Sequence, residues 1–438
     1  MIVLYDFFKT DRLYNPFRPF ILSVPRYLQE IIDVLGTKRL QKQISFYLFS
    51  IAFSGIGLAM QQLFLSWLLV GVLLLPADEV GVIQALIALP GILLMLWGGA
   101  KADQNDPRRI LLNGYLLAWI LPICLIATVE FGFLNLWSVA FFGLFMSVIT
   151  SIVIPAQQSL LNRIAQQDIQ RGVTAATGIG FVVQIIGFSL AGQLEAIGMS
   201  NVLLIQAFAL LLTAVAVARL KPAVQSKKKG SKHQIMSDIV FGFQAIVRNK
   251  TIFNTLLITF TSGIFNAGAF LTAVPFVIKR VYEGSALGFA TVMVTFYLGA
   301  AISNLIQYKL MPLEKPGFWF LILQLSRILI LFLVWIQPSW TFLLAVLFAW
   351  GLNMGVTTNL SRTIVQEASE SRFLARILSV YNIGLIGSIP IGAVIIGHVI
   401  EQYGTMSAMI PGMFLSALVF LYGVFFTKLS SYRSPNFI

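Results

Sequence analysis

Long unbroken apolar runs alternate along the chain with short polar connections. They fall at roughly 44–74, 79–98, 110–130, 136–158, 172–195 and 200–219, and then, after a polar break, at 252–277, 285–308, 317–337, 339–362, 374–400 and 405–427. A continuous apolar run of about twenty residues crosses a bilayer as a helix. Barrel strands would instead alternate in segments of about ten. The pattern predicts an all-α integral membrane protein with about twelve transmembrane helices, arranged as two six-helix bundles around a central cavity. The divisions that follow are a cytoplasmic tail over 1–43, a first bundle over 44–220, a basic linker over 221–250, a second bundle over 251–428 and a short tail over 429–438.

Two stretches outside the runs are amphipathic. Leu28, Ile31, Ile32 and Leu35 recur at helical spacing in the first tail, which reads as a helix lying on the membrane or as an unstructured tail. In the linker, Lys227-Lys228-Lys229 precedes Ile235, Ile239, Phe243 and Ile246 on one face, the pattern of a tether at anionic lipid or of a solvated linker.

Composition agrees with the pattern: 58% of residues are hydrophobic and 11% charged, with a mean hydropathy of +0.86. The formal charge of +13 would suit nucleic acid in a soluble protein, but here the bases sit in alternate loops, so no nucleic-acid partner is expected. Lys101, Arg108 and Arg109, Arg163 and Arg171, the linker lysines, Lys309 and Lys315, and Arg372 and Arg376 lie on one side. The other side holds Asp78, Glu79, Glu130, Glu195, Glu283 and Glu401, with Lys279 and Arg280 as its bases. Because cytoplasmic loops concentrate Lys and Arg, both termini are expected in the cytoplasm and the protein in the cell membrane. Cys124 is the single cysteine, so no intrachain disulfide forms. No catalytic set, metal cluster or phosphate-binding loop is evident. The chain does not read as an enzyme, and no cofactor or metal is expected.

Arg171, Gly187 and Gly192 recur as Arg376, Gly392 and Gly397, each pair 205 residues apart. The same shift carries the start of the first run to that of the seventh, so the two halves read as a duplication. Gly187, Gly192, Gly392 and Gly397 would let helices cross closely, as hinges or as ordinary packing.

The stretch from Gly98 to Arg109 places two acids and three bases between the second and third runs. It reads as a tight cytoplasmic loop and a gate, the alternative being a loop that only sets topology. Here the chain resembles the major facilitator superfamily, whose corresponding loop reads Gly-x-x-x-Asp-Arg-x-x-x-Arg-Arg: Gly99, Asp103, Arg108 and Arg109 match, while Gln104 replaces the family's Arg and Lys101 an apolar residue. The counterpart near Tyr308 to Lys315 has Tyr308 where Asp103 stands, so a gate at this end is asymmetric. Pro155-Ala156 with Leu160-Leu161, Gly187 to Gly192, Thr363 to Glu367 and Ser237 to Phe243 extend the resemblance to the enterobactin-exporter-like and drug-efflux-like branch.

The resemblance implies a central cavity lined by the first, fifth, seventh and eleventh helices, with the third, sixth, ninth and twelfth outside it. Polar residues in the lining helices become candidates for substrate binding: Gln61, Gln62, Gln184, Asn266 and Asn382, each alternatively an interhelical hydrogen bond. Arg327, half-way along the ninth run, is an intramembrane charge that demands a partner or a water-filled cavity. Members of that branch often carry an acid about where Leu58 stands here, and no mid-span carboxylate replaces it. Glu195 and Glu130 are the remaining candidates for proton coupling. The expected activity is secondary active transport by alternating access, exporting a small amphipathic compound such as a drug or siderophore-like molecule. A lysophospholipid flippase or a non-transporting scaffold is the alternative. The expected partners are a small-molecule substrate, the lipid bilayer and protons as a candidate coupling ion, in a monomer.

Overall fold

The computed structural model describes residues 38–104, 106–164, 169–221, 243–310, 313–370 and 373–435. Every regular element among them is helical. The first half comprises α1 (Lys38–Trp67, prolonged by a π-helical turn Leu68–Val72), α2 (Ala77–Gln104), α3 (Pro107–Ala118, resumed as Ile120–Glu130), α4 (Leu136–Ile164), α5 (Ile169–Ala191) and α6 (Met199–Ala218). The second comprises α7 (Lys250–Gly268, prolonged by irregular turns to Val281), α8 (Ala286–Leu310), α9 (Pro316–Trp335), α10 (Trp340–Ala368), α11 (Leu374–Tyr403) and α12 (Met409–Phe425). Eleven of these are long and apolar enough to cross a membrane over their described residues. The other is α5, a helix of 23 residues.

The basic stretch expected as a loop is largely helix. Helix α2 continues to Gln104, because Ala100, Lys101 and Ala102 favour helix and nothing breaks it before the Asp106-Pro107 pair. Asp106 then caps α3: its backbone is extended, its carboxylate accepts from the Arg108 amide at 3.1 Å, and Pro107 takes the first helical position, where no donor is needed.

Local backbone structure repeats between the halves. The π-helical turn Leu68–Val72 recurs as Val277–Val281, 209 residues on, with Leu73 N donating to Leu68 O at 2.9 Å and Tyr282 N to Val277 O at 3.2 Å. Each is followed by a non-glycine residue at positive φ, Leu74 at 55° and Glu283 at 48°, a conformation that costs energy and persists only when its surroundings dictate it. In the later helices the offset is 205 as expected. A Cβ on Gly187 would lie 2.6 Å from Ala59 Cβ of α1, and one on Gly392 would lie 1.9 Å from Ile264 O of α7. A uniform shift therefore does not hold: the second half has four fewer residues between its second and fifth helices.

Residues 1–37 of the first tail and most of the linker fall outside the described residues. Residues 243–248 form the last turns of the expected surface helix. Ile246 is buried there against Ile252, Val365, Ile377 and Tyr381, while Phe243 is exposed.

Candidate functional site

The halves meet at the acidic end through two equivalent latches. Glu195, just beyond α5, accepts from the Ala286 amide at the start of α8 with both oxygens, at 2.9 and 3.0 Å. Glu401, near the end of α11, accepts from the Ala77 amide at the start of α2 at 2.9 Å. Each carboxylate thus sits on the N-terminus of a helix from the other half, where unsatisfied amides and the helix dipole favour an anion. Glycine permits the approach: a Cβ on Gly192 would lie 2.4 Å from Ala290 Cβ, and one on Gly397 would lie 2.4 Å from Ala77 O. Lys279 lies 5.7 Å from the centre of the Trp67 ring, Trp67 stacks on Phe289 at 5.9 Å, and Thr272 Oγ1 donates to Gln84 Oε1 at 3.0 Å. Arg280 lies 3.5 Å from Glu401. Both bases of the acidic side therefore belong to this closure.

Deeper in lies a cavity of about 300 Å³. It is lined by α7, α8, α9, α10 and α11, with Gln62 reaching in from α1. Phe270 stacks on Phe296 at 3.9 Å, and Trp350 meets Phe270 edge-on at 5.3 Å, so one wall is aromatic. Tyr297 and Gln62, from opposite halves, both line the cavity. The other wall is polar. Phe320, Gln324 and Arg327 share the inward face of α9 at helical spacing. Arg327 donates to Gln324 Oε1 at 2.7 Å, Asn353 Oδ1 at 3.0 Å and Thr357 Oγ1 at 3.4 Å. Gln324 Oε1 also accepts from Ser262 of α7 at 2.9 Å. Arg327 is 4% exposed.

Residues 40–435 match the family described as transmembrane secretion effector. The chain belongs to that family. No curated protein matches it in sequence. In structure this transmembrane secretion effector is similar to a POT family transporter in complex with a thioalcohol-conjugated peptide (14% identity, TM-score 0.69, covering 88% of this chain and 96% of the other). It is also similar to the nucleoside transporter NupG (12% identity, TM-score 0.69, 90% and 100% covered). A third similar structure is a bacterial homologue of the human lysosomal transporter Spinster (13% identity, TM-score 0.62, 90% and 96% covered). At such identities the likeness establishes the fold, that of a major facilitator transporter. The effector is a multi-pass membrane transporter.

The residues singled out from sequence scatter across this architecture. Gln62 lines the cavity. Gln61 faces the other way, accepting from Gln206 Nε2 of α6 at 2.9 Å, with Gln206 also bonded to Gly57 O at 3.2 Å. Gln184 is half-buried on α5 and Asn382 is exposed on α11; neither lines the cavity. The side chains of Gly99, Asp103 and Asn266 lie outside the described residues. Arg108 caps α6, donating to Val217 O at 3.3 Å and Ala218 O at 2.6 Å, while Arg109 is exposed. Two expectations are corrected. No described residue of α5 lines this cavity, and α9, expected outside, supplies Arg327, because α9 packs against α10 and the long side chain reaches Asn353 and Thr357 there. The latch was missed although it has a sequence signal: Glu195-x-x-Gly198 recurs as Glu401-x-x-Gly404, with φ of 88° and 89° at the two glycines.

Proposed function

We propose that this effector is a secondary active transporter that exports a small amphipathic compound by alternating access, with the bundles at 44–220 and 251–428 rocking about the cavity and both termini in the cytoplasm of a cell-membrane protein. The observation that carries this reading is the reciprocal pair of latches. A permanent scaffold has no need to close one end with exposed polar contacts between its halves. Two helix N-termini held by carboxylates of the opposite bundle form a bistable element that substrate or protons could bias. The acidic end is shut and, by the distribution of bases, faces outward, which suits loading from the cytoplasm. An amphipathic substrate suits the half-aromatic, half-polar cavity. On this reading Glu195 and Glu401 hold the outward end shut, while Asp103 with Gly99 works at the cytoplasmic end.

Reconstituted protein, loaded vesicles and an imposed pH gradient test it. Gradient-dependent efflux of an amphipathic compound is the expected result. Gradient-independent movement of lysophospholipid would replace the exporter with a flippase, and a folded protein that moves nothing would be a scaffold.

A further inference from the structure

We infer that the cavity beside Arg327 is a binding site for an organic anion, a small apolar or aromatic body carrying one carboxylate. The inference rests on the transporter reading and specifies the substrate class. Among the described residues, every hydrogen-bond partner of Arg327 is neutral: Gln324, Asn353 and Thr357. No carboxylate stands among the residues that line the cavity. A guanidinium keeps its proton in proteins, so a full positive charge sits within the membrane span without a counter-ion. If its task were only to tie α9 to α10, a neutral amide would do so at a lower desolvation cost.

Two donors buried behind the wall of this cavity are also unused. Arg327 Nε and Thr259 Oγ1 have no hydrogen-bond partner, and both residues line the cavity. A buried polar atom without a partner costs about 1–3 kcal/mol, and an arriving carboxylate can accept charge-assisted bonds from the guanidinium. Opposite stand Phe270, Phe296 and Trp350, which suit a flat apolar body. The volume of about 300 Å³ lies at the small end of the range for ligand pockets and fits a compact molecule.

Matched carboxylates, carboxamides and amines built on phenyl, naphthyl and octyl bodies test the site, with affinities measured calorimetrically on purified protein in nanodiscs. At least one carboxylate should bind at least tenfold more tightly than its amide, and the amine most weakly. Arg327→Gln should abolish that preference, and Arg327→Lys should keep part of it. Absence of binding by any carboxylate, equal affinity for carboxylate and amide, or a preference that survives Arg327→Gln in a monodisperse protein would each overturn the inference. Flux of the same compounds separates it from the transporter reading. Amides moved without anion preference sink only the substrate class; anions bound at Arg327 but moved by nothing sink only transport.

Discussion

Replacing both Glu195 and Glu401 by Gln removes the charge from each latch while leaving an amide oxygen able to accept a hydrogen bond. Both side chains lie at the exposed rim, where a charge on a helix N-terminus contributes about 0.3–1 kcal/mol. With about 1 kcal/mol for each, the pair biases the closed state by about 2 kcal/mol, roughly 30-fold in the ratio of closed to open. The bridge from Arg280 to Glu401 does not enter, because both residues belong to the second half and move together. Thr272 is fully buried beside Gln84 of the other half, so Thr272→Cys in a Cys124→Ser background reports opening at this end. When opening and closing are fast, labelling by a membrane-impermeant maleimide follows the open fraction. The double variant should label roughly 30-fold faster than the parent, and each single variant about fivefold faster, half the bias each. An unchanged rate in the double variant would refute the latch. So would a single variant with the whole effect, because the two contacts are equivalent by the repeat.

Arg108→Ala should lower thermal stability by about 1–3 kcal/mol, because it leaves carbonyls at the end of α6 without their charged donor; unfolding in detergent measures this, and transport by the surviving folded fraction should be normal. Gln206→Leu should cost about 1 kcal/mol through the lost bonds to Gln61 and Gly57, with no effect on ligand affinity, as titration of the variant would show. Tyr432, in the segment after α12, has its phenol pushed up to about 12 by burial and by the neighbouring Glu367 carboxylate, to which it donates at 3.4 Å. A raised acid contributes stability below its unfolded pKa of 10 and loses it as pH rises toward 12, so docking of this segment should fail in that window, followed by tyrosinate absorbance and by thermal unfolding.

The length and continuity of the apolar runs determined, by themselves, that the chain is a helical membrane protein, and eleven of the described helices are long and apolar enough to cross. Backbone groups in hydrocarbon must bond within their own segment, so composition and run length suffice for that conclusion. The glycines at 187, 192, 392 and 397 were legible as a repeat because close helix crossings exclude a side chain wherever the chain is duplicated. Even the latch left a trace in the paired Glu-x-x-Gly turns. Charge density alone misled at Gly98 to Arg109: helix persistence depends on propensity and on where a cap falls, and Asp106-Pro107 placed that cap late.

What a polar side chain in a span does was settled only by the tertiary structure. Gln61 and Gln62 are neighbours in sequence yet point about 100° apart on a helix, so one binds α6 and the other reaches the cavity. Glu195 and Ala286 meet across 91 residues, and Glu401 and Ala77 across 324. Such pairings depend on how two bundles dock, which no local pattern encodes. Arg327 shows the same division: sequence revealed a charge in the membrane, and only the packing of α9 against α10 showed that its partners are neutral and that a cavity lies beside it.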